Sequence, residues 1–499
     1  MLAFPTGLSE IKDSLVKKVF FGQQPTPELL AILSVYMVQG ILGLARLAIS
    51  FFLKDELALS PAQVSALMGI AMLPWVIKPL FGFISDGLPI FGYRRRPYLI
   101  LSGLLGAIAW ICLATVVHTA WAATAAIALS SLSVAVSDVI VDSLVVERIR
   151  DESVGEAGSL QSLCWGASAV GGLLTAYFSG YLLQSVGHRT VFAITAAFPL
   201  IVCAVAWLIA EQPVRNAYLG VKPTPSSTGF TLRPNFPKVA RQLKLLRQAV
   251  SQKVIWMPAG FLFLLQATPT ADAGFFYFTT NELGFGPEFL GRVRLVSSVA
   301  SLAGVWIFQR YLKAVPFRTI FGWTTLLSAA LGMSALLLVT HANRALGIDD
   351  YWFSLGDSLI LTVMGQIAYM PVLVLAARLC PAGVEATLFA LLMSVTNMAG
   401  LLSHEIGALL TYLLGITETH FERLWLLVVI TNLSTLLPLP FLGWLPTSDP
   451  KVELQPKSKR HEKPAPMMEA QSLVAQHRKQ PFLPEFVPEL LPTVEERID

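Results

Sequence analysis

The chain has 499 residues, of which 54% are hydrophobic and only 14% charged, with a formal net charge of +4 and a mean hydropathy of +0.63. Soluble domains carry about 25% charged residues, so an ordinary water-soluble globule is excluded and lipid is the expected solvent. The small positive charge gives no ground for a nucleic-acid partner.

Residues 1–29 include "LSEIKDSLVKKVFFG", which predicts an amphipathic surface helix and lacks the apolar core of a signal peptide. Apolar runs near twenty residues then recur, each long enough to cross a hydrocarbon core about 30 Å thick. In lipid such runs must satisfy their own backbone hydrogen bonds, which calls for helices. Twelve spans are predicted, at about 30–53, 63–84, 97–117, 121–146, 157–183, 190–210, 254–281, 288–309, 317–340, 355–377, 383–414 and 422–445. A first six-helix half occupies 30–210 and a second 254–445. Between them, 211–253 is a Pro-, Ser- and base-rich cytoplasmic linker, and 446–499 is a charged, proline-rich tail expected to be disordered. The expected fold class is an all-α polytopic membrane protein of the major facilitator type, its two halves related by pseudo-symmetry and rocking about a midplane site.

Lysine and arginine concentrate in cytoplasmic loops. With the N-terminus inside, the arginine loop 94–96, Arg148, Arg150, the linker, Arg310, Lys313, Arg318, Arg378 and the tail all fall inside. Only Lys54, Arg189, Arg344 and Arg423 remain outside, so both termini are expected in the cytoplasm. The four cysteines (Cys112, Cys164, Cys203, Cys380) lack framework spacing and are expected to be free. An internal repeat is expected between the loop after span two, where Arg94 follows Asp86 by eight residues, and the loop after span eight, where Arg318 follows Arg310 by eight.

The stretch "GFISDGLPIFGYRRRPYLILSG" places Asp86 and Arg94–Arg96 between two apolar helices. An acid and a cluster of arginines there can pair with helix ends and hold an inward gate closed. The alternative is that the arginines are topology anchors facing lipid headgroups. Glu147 with Arg148, and Arg378 with Glu385, lie near cytoplasmic ends and read as gate or packing pairs.

The wording is more specific still. "SDGLPIFGYRRRPYL", "DVIVDSLVVERIR", "SLQSLCWG" and "ARLCPAGVEATLFALLMS" occur in that order. Together they resemble the folate–biopterin transporter family, most closely its cyanobacterial and plastid branch, over about residues 30–445. The resemblance implies uptake of folates and related pterins across a membrane, coupled to protons. A monomer in the plasma (inner) membrane is expected.

A monoglutamyl folate has two carboxylates at one end and a flat pterin with a hydrogen-bond-donating edge at the other. Its site needs cations, a carboxylate and aromatic faces. Ionisable residues inside spans are the candidates. Asp138 and Asp142, four apart on one face of span four, are expected to serve pterin binding or proton coupling, or else to pair with cations and cap helices. Arg46 lies inside span one and Arg294 inside span eight, with Arg292 about 200° away around that helix. One of the two span-eight arginines is expected to bind the glutamate carboxylates, the other to anchor. Asp272 follows a kink expected at Pro269, and Gln266 precedes it. Asn397, His404 and Glu405 cluster on span eleven. For Gln161, Gln266, Gln366 and Asn397, hydrogen bonds between helices compete with ligand contact.

No phosphate-binding loop, metal-ligand cluster or nucleophile elbow is present, so neither ATP hydrolysis nor enzymatic catalysis is expected, and no cofactor or metal. Two other readings stand beside folate uptake: a major facilitator-like assembly factor for pigment–protein complexes, and a carrier of another small solute.

Overall fold

The structure is a computed structural model that describes residues 24–149, 154–211, 213, 251–312, 315–379 and 385–446. The expected N-terminal surface helix, nearly all of the linker and all but the first residue of the tail lie outside the described residues. The body lies in one compact unit, Met1–Lys451.

Among the described residues, nine helical stretches are individually long and apolar enough to cross a membrane. One of them, Leu163–Leu208, turns back at Gly187 (φ 75°) and makes two passages. The broken pair Lys253–Gln266 and Asp272–Tyr277 makes another, and Glu385–Leu413 completes the twelve. Their starts carry the usual capping chemistry. Thr26 caps span one ahead of Pro27, and Ser60 with Gln63 forms a capping box ahead of Pro61 in span two.

The halves repeat each other most plainly where their first helices end. Span one closes with "FLKDELALSP" (52–61) and span seven with "FTTNELGFGP" (278–287). Each passes into a π-helical turn, Phe52–Glu56 and Phe278–Glu282. In each, the leucine N–H reaches back to the phenylalanine carbonyl at 3.1 Å (Leu57 to Phe52, Leu283 to Phe278). A residue of positive φ follows, Ala58 at 48° and Gly284 at 69°. The same hydrogen-bond pattern in the same register is the signature of duplicated halves.

The loop repeat holds in a different register from the expected one. Arg96 directs its Nε to the Ile209 carbonyl at 2.6 Å, fastening the start of span three to the end of span six. Arg318 directs its Nε to the Leu445 carbonyl at 2.8 Å, fastening span nine to span twelve. Arg318 therefore corresponds to Arg96 rather than Arg94. The two loops differ in length, so equal spacing from an upstream acid or base does not identify equivalent positions.

Spans two and eleven, and spans five and eight, form the seam between halves. Hydrogen bonds cross it at Asn397 Nδ2 to the Trp75 carbonyl (3.1 Å), Ser65 Oγ to the His404 carbonyl (2.9 Å) and Lys54 Nζ to Asn281 Oδ1 (2.9 Å). These run from mid-membrane to the face opposite residues 24 and 446, the distal face. There Gly180 and Gly291 let spans five and eight touch: a Cβ on Gly180 would sit 2.2 Å from the Pro287 carbonyl oxygen.

Candidate functional site

Span two is broken in mid-membrane by Pro74 and Pro79, which cannot donate into a helix. Lys78 starts the helical piece that follows the second break. Its ammonium forms a close ion pair with Asp138 and lies 3.5 Å from Asp142. Tyr36 of span one donates its hydroxyl to Asp142 Oδ1 at 2.5 Å. Asp138 and Asp142 do share one face of span four, and Lys78 and Tyr36 close it. Asp138 is buried, 8% exposed. The Asp142 side chain keeps 47% of its surface open. The lysine thus pairs closely with one aspartate, and the other keeps more of its surface open. The Lys78 ammonium also lies 5.3 Å from the Trp75 ring centre. Sequence reasoning passes over Lys78, although a lysine in an apolar run is itself the signal.

A second cluster forms where span one is interrupted at Leu42–Gly43. The Gly43 carbonyl accepts from Arg294 Nη1 at 3.0 Å, and Ser179 Oγ lies 3.3 Å from the same nitrogen. Arg46 is exposed, and its backbone N–H donates to the same Gly43 carbonyl at 3.2 Å. Neither guanidinium has a carboxylate partner among the described residues. Arg292 is exposed and pairs with Glu288, one turn back on the same helix, at 2.5 Å.

The remaining candidates are spread out. Asn397 spends its amide on the Trp75 carbonyl. Glu405 packs on span two, where its Oε1 would lie 2.5 Å from a Cβ on Gly69, and that oxygen is buried without a hydrogen-bond partner. Span seven does break around Pro269, and the freed Thr268 carbonyl accepts from Ser403 of span eleven at 2.5 Å. Asp272 is exposed beyond that break. Gln266 lines a cavity of about 200 Å³ inside the second half, with Thr325, Ser328 and Tyr369. The side chain of Gln161 lies outside the described residues.

At the face away from the distal one, Ile90 and Tyr93 exchange backbone hydrogen bonds across Phe91 (φ 52°) and Gly92 (φ 84°), a tight turn with positive φ at both central residues. The turn delivers Arg94–Arg96 to the start of span three. Their three backbone N–H groups all donate to the Glu211 carboxylate, at 2.5–3.1 Å, so Glu211 caps that helix from across the half. Arg95 pairs with Asp86 at 2.9 Å. Arg148 donates to Thr26 Oγ1 at 2.9 Å, joining span four to span one. These contacts all lie within the first half and its flanking residues Thr26 and Glu211. The side chains of Glu147, Arg378 and Glu385 lie outside the described residues.

Twelve helices in two repeated halves, meeting around charged groups in mid-membrane, define a membrane transporter of the major facilitator type. The fold agrees with solved transporters: the nucleoside transporter NupG superposes with a TM-score of 0.61 at 13% identity, covering 84% of this chain and 98% of that one. A D-xylose-proton symporter gives 0.60 at 16% identity, covering 85% and 99%.

The chain belongs to the BT1 family, the folate–biopterin transporters, whose profile matches residues 39–465. A folate-biopterin transporter of Synechocystis sp. is 57% identical over 490 residues, covering 96% of this chain and 95% of that protein. A probable folate-biopterin transporter 2 of Arabidopsis thaliana is 34% identical, covering 84% and 82%. Folate transporter 2 of Plasmodium falciparum is 30% identical, covering 83% and 88%.

Proposed function

We propose that the chain imports folates and related pterins across the plasma (inner) membrane by proton symport, its halves rocking about the midplane and both termini in the cytoplasm. The observation that carries this reading is the polarity of span one. Tyr36 marks a carboxylate end, where Asp142 stands partly open, and Arg46 marks a cationic end, where it and Arg294 both bond the Gly43 carbonyl. Ten residues separate them, about 15 Å along a helix. An elongated solute with a donor-edged ring at one end and carboxylates at the other fits that arrangement. Asp142 receives the pterin edge, the arginine pair receives the glutamate, and Trp75 offers a ring face beside the carboxylate end.

Asp142 is also the group we assign to proton coupling, since it is shared between Lys78, Tyr36 and the open cavity. Glu405, whose Oε1 is buried at the seam without a hydrogen-bond partner, is the second candidate. The arginine loop contributes to the gate by keeping the first half rigid, so that closure moves the half as a body. The protein works as a monomer in this reading.

The test is uptake of labelled folate by cells unable to import it, with and without a protonophore. Uptake that collapses with the protonophore supports symport. Uptake that persists undiminished leaves transport standing and removes the proton. No uptake of any pterin by correctly inserted protein overturns the whole reading.

A further inference from the structure

The repeat at the ends of spans one and seven places Asp55 and Asn281 at equivalent positions. Lys54 has no counterpart cation, since Thr280 stands at its repeat position. Its ammonium contacts both members of the repeated pair, Asp55 Oδ1 at 2.5 Å and Asn281 Oδ1 at 2.9 Å. One ammonium is therefore held by a residue of each half. Only 11% of the Lys54 side chain is exposed. It lies 5.6 Å from the Phe51 ring centre and 6.0 Å from that of Tyr277, again one from each half. Phe51 stacks edge-on against Phe276 of the second half at 5.3 Å, and Tyr277 donates its hydroxyl to the Leu59 carbonyl of the first.

We propose that Lys54, seated between Asp55 and its repeat counterpart Asn281, is the latch of the distal gate, and that the neutral amide at 281 sets how easily the latch opens. An ammonium pairs with Asp55 whether the gate is open or closed, because both belong to one half. The bond to Asn281 exists only when the gate is closed. A charged acceptor there would make a stronger bond, roughly doubling a neutral one, and would hold the distal side shut. The amide keeps the latch weak enough to release. Asn281 is itself held in place by its Nδ2, which donates to the Glu418 carbonyl at 2.9 Å. Glu418 belongs to the same half as Asn281, so it does not report on opening.

The proposal leans on the transporter reading only for its effect on uptake. Its test measures the gate directly and needs no solute. Spin labels on Val186→Cys and Glu422→Cys, exposed distal positions in different halves, report the gate by their distance in full-length protein whose four native cysteines are replaced by alanine. Asn281→Asp should raise the ratio of short to long distances about fivefold. Lys54→Met should lower it by a similar factor. Combined with Lys54→Met, Asn281→Asp should reverse sign and lengthen the distance further, because two carboxylates then face each other with no cation between them. That reversal identifies Lys54 as the shared partner. If Asn281→Asp does not fold, Lys54→Met alone decides, and distances unchanged from wild type overturn the proposal. An Asn281→Asp effect of the same sign with and without Lys54 overturns it as well.

Discussion

Lys78 of span two and Asp138 of span four form a close, largely buried ion pair in mid-membrane, while Asp142, one turn further along span four, meets the same ammonium at 3.5 Å and stays half open. The two aspartates therefore differ in pairing and in exposure. Removing one partner of a buried pair leaves an uncompensated charge and costs about 3–5 kcal/mol, whereas replacing both partners by apolar residues is close to neutral.

The first prediction follows from that asymmetry. Asp138→Asn should lower the melting temperature of the purified protein and its amount in the membrane, and should abolish uptake. Lys78→Met with Asp138→Leu should recover the folded protein without recovering uptake. Asp142→Asn should leave folding near wild type and still abolish concentrative uptake. Equal melting temperatures for the two single asparagine variants would contradict the division of roles.

The second prediction concerns the arginine end. Arg46→Gln and Arg294→Gln each remove a charge-assisted contact worth about 1.5–3 kcal/mol to a bound carboxylate, a weakening of roughly tenfold to a hundredfold for folate. Biopterin carries no glutamate and should be taken up by both variants about as well as by wild type. Competition of each solute against labelled folate measures this. A parallel loss for both solutes would place the arginines outside the glutamate subsite.

The twelve spans were legible because length and apolarity are properties of each run taken alone. Asp138 and Asp142 were legible for a similar reason, since spacing on one helix puts them on one face. What the sequence hid was everything set by neighbouring helices. Lys78 stands between apolar residues in "WVIKPLFG", and only the packing of span two on span four turns it into a partner. Arg292 and Arg294 are alike in sequence, yet one pairs with Glu288 on the exposed face and the other crosses to Gly43. The true repeat at 52–61 and 278–287 was visible in the letters. Its meaning depended on a shared π-helical turn, which residue spacing does not announce.

A third prediction tests the repeated clamps. Arg96→Gln and Arg318→Gln break equivalent bonds to the last carbonyls of spans six and twelve. Each should destabilise the protein by about 1.5–3 kcal/mol. The two sites lie in different halves and share no partner, so the losses should add within about 0.5 kcal/mol. Thermal unfolding in detergent of both single variants and the double variant reads this out. A double variant no worse than either single one would mean that the halves do not carry independent clamps.

The last prediction separates contacts that hold a half together from contacts that the halves make and break. Gly40 of span one would place a Cβ 2.1 Å from the Ser168 carbonyl oxygen of span five, within the first half. Gly180 of span five would place one 2.2 Å from the Pro287 carbonyl oxygen of span eight, across the seam. The steric conflict is the same, and both involve backbone that cannot swing aside. Overpacking costs about 1–3 kcal/mol or more. At Gly40 that strain is present in every state, because spans one and five stay packed while their half rocks as a body. Gly40→Val should therefore lower folded yield and melting temperature. At Gly180 the strain exists only while the distal side is closed, and opening relieves it. Gly180→Val should fold with a melting temperature near wild type, give the long distance between labels at 186 and 422, and fail to import folate. Substrate should still reach the site from the distal side, so binding measured on outward-oriented vesicles should survive. If Gly180→Val instead unfolds like Gly40→Val, the contact of spans five and eight is permanent and the distal seam does not open there.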